Sequence, residues 1–266
     1  MSAILSVEHV GMKFGGLTAI ADLHFEVAPG EILSLIGPNG AGKTTAFNII
    51  TGFLRPTSGR VLFDGEDLAS TKPNEISRLG LARTFQRTSV FADDTVLDNV
   101  LIGLHRYEER GLLHRILPTP TARRQEAEVR ARAKDILHLV GIAHRMNEKA
   151  GSLSYGEQRL VGVALALATE PKMLLLDEPV SGMNASETQA FVQLLRKVRR
   201  EAGVTILLVE HDMPMVMEIS DRIVCLNYGR LIAEGKPDEI RNNPDVIEAY
   251  LGKSASKLER KESAHA

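Results

Sequence analysis

Tryptophan is missing from this chain, and cysteine nearly so: its 266 residues hold one, Cys225. A single thiol cannot close an intramolecular disulfide, so the fold must rest on its core, and a reducing, cytosolic setting suits it. Cys225 lies in the apolar run RIVCL and reads as a small core residue. Long hydrophobic runs are also lacking. The longest, LVGVALALA, is far short of the roughly 20 residues a membrane helix needs, and MSAILSVEHV has no basic n-region. The chain itself is therefore expected not to span a membrane. Charge of one sign is absent too: 32 basic and 34 acidic residues give a formal net charge of −2. No global positive field draws the protein to nucleic acid or anionic lipid, and no nucleic acid is expected as a partner. What remains is an ordinary globular composition, 44% apolar and 25% charged, long enough for one large domain or a domain with a subdomain.

The first 70 residues read as short β segments: LSVEHV and LHFEV alternate, APGE turns, ILSLIG is a buried strand feeding a glycine-rich loop, and RVLFDGEDL is a hairpin turning at Asp64 and Gly65. From about Thr95 to Ala168 the period becomes helical. Val129, Ala133, Ile136, Leu137 and Val140 share one face, while arginines and glutamates fill the other. GLLHRILPTPT, with two prolines, is expected to be a loop. Then follow a strand KMLLLD, a helix SETQAFVQLLRKVRREAG, a strand TILLVE, a short helix and a β-hairpin around NYGR. Strands alternating with helices predict a parallel α/β sheet with a mostly helical insertion. The polar tail after Leu251 is expected to be disordered.

The stretch GPNGAGKTT, from Gly37 through Pro38, Asn39, Gly40, Ala41, Gly42 and Lys43 to Thr44 and Thr45, follows a predicted strand and opens a predicted helix. That context is what a phosphate-binding loop requires. Its glycines let successive amides converge on an anion, Lys43 neutralises β and γ phosphates, and Thr44 offers a hydroxyl to Mg²⁺. A second element, MLLLDEP, ends a buried run in two acids at the carboxyl end of a strand, where α/β sheets bind ligands. Asp177 is placed to hold the metal, directly or through water, and Glu178 to orient or deprotonate a water aimed at the γ phosphate. A nucleoside triphosphatase is the leading reading; these two motifs alone leave a kinase, a motor or a switch open. A third stretch, LSYGEQ at 153–158, admits a purely local explanation. Ser154 is a strong N-cap and Glu157 completes a capping box.

The order of these motifs, with Leu-Ser-x-Gly-x-Gln just upstream of the aspartate-glutamate strand, resembles the ATP-binding subunit of an ATP-binding cassette (ABC) transporter. The resemblance runs from about Leu5 to Gly252. It implies an α/β P-loop NTPase core with an antiparallel β subdomain and an α-helical subdomain inserted at about 90–168, in one domain spanning 1–252 ahead of a tail at 253–266. It further implies that Phe14 stacks on adenine, that Gln86 senses the γ phosphate and the metal, and that His211 is the switch histidine. Ser154 and Gly156 would reach the γ phosphate held by a second ATPase subunit, in a homo- or heterodimer. Read without the resemblance, each also has a plain structural reading: Phe14 as core, Gln86 as a polar strand end and, with equal weight, His211 as a residue at a helix start. Two places depart from the common pattern: the signature carries Tyr155 for a glycine and Glu157 with Gln158 where it has glutamine, keeping Ser154 and Gly156, and Asn184 stands where many members carry an aspartate. Asn184 with Glu187 also forms a capping pattern.

The segment from Glu210 to Gly252, with LARTFQ and the basic insertion after NVLIGLH, resembles the ATPases of branched-chain amino-acid importers. Importers of urea and short amides and the ATPase of lipopolysaccharide export share the pattern. A cassette ATPase that acts on DNA or ribosomes stays a weaker alternative, since such relatives usually carry two cassettes or long coiled-coil insertions. The resemblance implies integral permease subunits, a periplasmic or extracellular substrate-binding protein, and a peripheral place on the cytoplasmic face of the inner membrane. Arg106, Arg110, Arg115, Arg123 and Arg124 read as a solvated face balanced by glutamates, or else as part of the surface facing the permease.

Overall fold

The structure is a computed structural model and describes residues 2–84, 90–105 and 120–251. Its frame is one ten-stranded sheet with two personalities. β1 (Leu5–Phe14), β2 (Leu17–Val27), β4 (Ser58–Phe63) and β5 (Glu66–Asp67) pair antiparallel, with Asp64 and Gly65 in the left-handed turn that the sequence predicts between the last two. β3 (Ile32–Ile36), β6 (Leu81–Thr84), β7 (Met173–Asp177) and β8 (Thr205–Val209) run parallel, and every residue of β3, β7 and β8 is buried. Such strands read as continuous apolar runs because helices cover both faces. The hairpin β9 (Arg222–Asn227) and β10 (Arg230–Gly235) joins the halves: β9 pairs parallel to β3, and β10 meets β2 at Arg230 and Asp22. The order is β5-β4-β1-β2-β10-β9-β3-β8-β7-β6.

Helices α1 (Lys43–Ile50), α2 (Pro73–Arg78), α3 (Val96–His105), α4 (Pro120–Val140), α5 (Tyr155–Leu167), α6 (Ala185–Ala202), α7 (Met213–Ile219), α8 (Pro237–Arg241) and α9 (Pro244–Leu251) complete the described chain. α2 is not anticipated by the sequence reading. Pro73 sits at its start, and the Glu75 carboxylate caps the amide of Lys72. The expected α4 face is as the period predicts: Ala133, Leu137 and Val140 are buried, with Val129 and Ile136 packed beside them. The predicted loop GLLHRILPTPT lies largely outside the described residues, but its last prolyl, Pro120, opens α4, a position where the missing N–H costs nothing. Gln86 and the tail 252–266 also lie outside.

The helical insertion is stitched shut where it leaves and rejoins the core. The amides of Val96 and Leu97 donate to the carbonyls of Glu148 and Met146, and those of Ala150 and Gly151 to Asp94 and Ala92. At this neck Asn99 is fully buried. Its side chain accepts from the Phe91 amide at 2.8 Å and donates to the carbonyls of Phe91 and Thr95 at 3.0 and 2.9 Å. α3, α4 and α5 then share one apolar cluster with α6 and one face of the parallel sheet, whereas α1 packs with the β subdomain on a second cluster. Asn99→Leu keeps the branched shape but leaves the Phe91 amide at the neck without its acceptor, while the carbonyls of Phe91 and Thr95 keep the backbone amides of Asp94 and Asn99. It is expected to cost about 1–3 kcal/mol in urea unfolding, with both spectroscopic probes and ATP affinity reporting a native fold below the transition.

Candidate functional site

The register of the parallel strands decides what meets at their carboxyl ends. Val209 of β8 lies opposite Leu35 of β3 on one side and Asp177 of β7 on the other. Chain leaving β3, β7 and β8 therefore emerges on one edge, carrying the glycine loop, the acid pair and Glu210 with His211.

In the loop, Gly37, Gly40 and Gly42 all have positive φ, 148°, 81° and 106°. At Gly37 the reason is spatial as well, because a Cβ would come within 2.2 Å of the Leu226 carbonyl oxygen. Next to Gly40 there is open space, as a backbone surface that receives a ligand needs. Lys43 begins α1 and is 8% exposed; its ammonium donates to the carbonyls of Gly37 and Pro38 at 2.6 and 3.1 Å. Burial pulls its pKa below the ordinary lysine value, while Glu178, Cys225 and Asp177 act in the opposite direction. The cation thus sits inside the loop, desolvated and with the acid pair close. Cys225 is fully buried, and burial raises its thiol to about 12, so it is the inert core residue the sequence predicts.

Asp177 is 4% exposed and accepts from Arg83 Nη2 at 2.8 Å, while Arg83 Nη1 reaches Asn48 of α1 at 2.7 Å. One guanidinium thereby ties the end of β6 to the helix of the phosphate loop and fixes the aspartate. Glu178 has φ 47°, an uncommon conformation for a residue other than glycine, and its amide donates to the Val209 carbonyl at 2.8 Å. Glu210 is fully buried. Its carboxylate accepts from the amide of Val180 at 3.0 Å and from the amide of His211 at 3.0 Å, so the turn after Glu178 and the start of the histidine segment share one anchor. His211 Nδ1 stands 4.0 Å from Glu178 Oε1 and 3.8 Å from Glu210 Oε2, with most of the ring exposed.

The capping box at LSYGEQ is present: Ser154 Oγ accepts from the Glu157 amide at 3.3 Å, and Glu157 Oε2 accepts from the Ser154 amide and hydroxyl. Those bonds from Ser154, amide first, hold the Glu157 carboxyl below its ordinary value. Asn184 is likewise the cap of α6, accepting from the Glu187 amide at 3.0 Å. Phe14 is not core. It is 45% exposed, beside the β1–β2 turn. A cavity opens beside Ser154 and Gly156, lined also by Glu157, Leu160, Met183 and Glu187, and no residue of the loop 37–45 borders it. Of the basic cluster, Arg123 and Arg124 are exposed, and Arg124 pairs with Glu128 at 3.1 Å, as a solvated face requires; Arg106, Arg110 and Arg115 lie outside the described residues.

Sequence reasoning overlooked Arg83, Arg159, Glu210 and Tyr250. The first three carried a usable signal, a charge set in or at the end of an apolar run (GLARTF, EQRLVGVALALA, ILLVEHD), which must find partners. Tyr250 of α9, 38% exposed as a whole, comes near the loop from the far end of the chain: local desolvation of its phenol raises it to about 12, while the Gly37 amide acts in the opposite direction.

A glycine loop around a buried lysine, with an acid pair and a histidine on the same sheet edge, defines a nucleoside-triphosphate cassette. Residues 20–181 match the family model described as ABC transporter, and residues 230–256 match a second, described as branched-chain amino acid ATP-binding cassette transporter. The chain belongs to the ABC transporter family, as an ATP-binding subunit and ATPase. Among curated relatives, it is 45% identical to the high-affinity branched-chain amino acid transport ATP-binding protein LivG of Escherichia coli K12, over 94% of this chain and 98% of that one. It is 44% identical to BraF of Pseudomonas aeruginosa, described in the same words, over 94% and 98%. Among solved structures, a nucleotide-free ATP-binding cassette from an ABC transporter superposes with a TM-score of 0.81 at 33% identity, covering 95% of this chain and 100% of that one. An ADP-bound dimeric cassette in a post-hydrolysis state gives 0.72 at 27% identity, over 88% and 98%.

The cap at Ser154 generates a prediction about stability. Because the Glu157 carboxyl is depressed in the folded state, its contribution is present above the unfolded-state value and is lost as pH falls through the folded one. Ser154→Ala should therefore cost about 1 kcal/mol in urea unfolding at pH 7, and the difference from wild type should shrink on acidification below the ordinary carboxylate pKa.

Proposed function

We propose that this chain hydrolyses ATP at an interface with a second cassette and thereby powers uptake of branched-chain amino acids. The observation that carries the proposal is a separation within one chain. The loop 37–45, Asp177, Glu178 and His211 gather on one sheet edge, whereas Ser154 and Gly156 open on a cavity that no residue of that loop borders. A signature segment that cannot serve its own loop is suited to serve another's. The named relatives and the match at 230–256 support branched-chain amino acids as the substrate class.

In this reading Phe14 receives the base, the amides of 37–45 and the Lys43 ammonium hold the phosphates, and Glu178 accepts the proton of the attacking water. His211, on the flank of Glu178, orients that water and touches the γ phosphate. Mg²⁺ suits the donor set, a hydroxyl at Thr44 and the buried carboxylate of Asp177, which meets Arg83 through one oxygen; Gln86, outside the described residues, is assigned to the same ion by family pattern alone. When bound, the ion neutralises charge on the phosphates. Charge developing at the γ phosphate meets Lys43 from this chain and the partner cassette's signature segment. The partners in this proposal are a second ATPase subunit, integral permease subunits, and a periplasmic or extracellular binding protein. Among the described residues no helix is long and apolar enough to cross a membrane, and we assign the chain a peripheral place on the cytoplasmic face.

Two substitutions test the division of labour. Lys43→Ala should abolish ATP binding in equilibrium dialysis, since the phosphates lose their charged partner; unchanged affinity would refute the loop assignment. Glu178→Gln keeps size and hydrogen bonding but cannot take a proton. Phosphate release from the assembled transporter should fall by a factor on the order of 10² to 10⁴ while ATP affinity holds, and a wild-type rate would remove Glu178 from the chemistry.

A further inference from the structure

Arg159 lies on the second turn of α5, one turn beyond Tyr155 and five residues from Ser154. Only 9% of it is exposed. Its guanidinium donates through Nη1 to the Glu178 carbonyl at 2.6 Å, and through Nη2 to the Ser181 carbonyl at 3.2 Å and the Tyr155 hydroxyl at 2.9 Å. The cation also lies 4.8 Å from the centre of the Tyr155 ring. Its Nε is buried and has no hydrogen-bond partner. Each of these bonds goes to a neutral oxygen. A buried arginine placed for stability alone would be expected to meet a carboxylate, since carbonyls repay the desolvation of a full charge poorly.

What this costly arrangement gains is control of one turn. The carbonyls it grips belong to Glu178 and Ser181, the first and last residues of the tight turn in which the Ser181 amide donates back to Glu178. Glu178 itself holds the left-handed backbone conformation, which for such a residue persists only where its surroundings over-determine it. The Val209 carbonyl and Glu210 fix that turn from the sheet side, and Arg159 fixes it from α5. Helix α5 is continuous from Tyr155 to Leu167, so its first turn and Arg159 move as one body.

We propose that Arg159 is a positioning residue that couples the signature segment to the catalytic turn of the same chain. A contact made at Ser154 and Gly156 by a neighbour's nucleotide displaces or steadies α5, and the guanidinium transfers that displacement to the Glu178 backbone. Each cassette thereby aligns its own base in response to the nucleotide in the other site. This rests on the reading of Glu178 as base, and the test separates the two.

Steady-state ATPase kinetics and nucleotide binding are measured on the full chain with its partner subunits for Arg159→Met, Arg159→Lys, Tyr155→Phe and Glu178→Gln, with thermal melts alongside. Arg159→Met should lower kcat about 10- to 100-fold with KM and ATP affinity unchanged, as a displaced catalytic group does. Arg159→Lys, retaining one donor to the Glu178 carbonyl, should recover part of kcat, and exposed Tyr155→Phe should lower it about 2- to 5-fold without changing the melt. Combined with Glu178→Gln, Arg159→Met should add no further loss, because it acts through that residue. Multiplicative losses would overturn the coupling, and so would wild-type kcat in Tyr155→Phe and Arg159→Lys if Arg159→Met does not fold. Wild-type turnover in Glu178→Gln would instead defeat the base reading while leaving the Arg159 kinetics to be judged on their own.

Discussion

The parallel register of three buried strands is the constraint on which everything else depends. With Val209 facing Leu35 on one flank and Asp177 on the other, the first residues beyond β3, β7 and β8 are forced onto a common edge. A slip of one residue in β8 would turn His211 and Glu210 to opposite faces and separate both from Glu178. Backbone ladders set that register residue by residue, and burial of every residue of β3, β7 and β8 between helices keeps those bonds in a dry core.

Polar bonds then fix what the strands deliver. Arg83 joins Asp177 to α1, Glu210 joins the turn after Glu178 to His211, and Arg159 joins that same turn to α5. Each is a buried charge whose partners come from elements distant in sequence. Removing one strands the others in a medium of low polarity, which is why such groups hold geometry more firmly than surface pairs like Arg124 and Glu128. The same economy appears at the neck of the helical insertion, where Asn99 closes three backbone bonds with one amide.

Most of the fold is legible in the sequence, because it rests on patterns local to each segment: the enclosed strands ILSLI, MLLLD and TILLV, the turn at Asp64 and Gly65, the single apolar face of α4, and caps at Ser154 and Asn184. The loop 37–45 and the acid pair are legible for the same reason. What was hidden depends on distance. α2 carries too few apolar residues for a helical period, with Ile76 its one buried side chain, and is set by Pro73 and the Glu75 cap. Arg83, Arg159 and Glu210 are charges in or at the end of apolar runs, and their partners lie up to 94 residues away, as for Arg83 and Asp177. Phe14 shows the converse: its surface position could not be told from a core one until the β1–β2 turn was seen.

The central claim is that the site is complete only when the signature segment of a second cassette closes over the nucleotide. Sedimentation velocity of Glu178→Gln, alone and with the ATPase that co-purifies with the wild-type chain, tests it directly. In Mg²⁺ and ATP, with turnover blocked, the nucleotide should hold two cassettes together as one species, and exchange into ADP should return single cassettes. A population that stays single-cassette in ATP with the partner present, while the wild-type chain hydrolyses at full rate under the same conditions, would contradict the shared site.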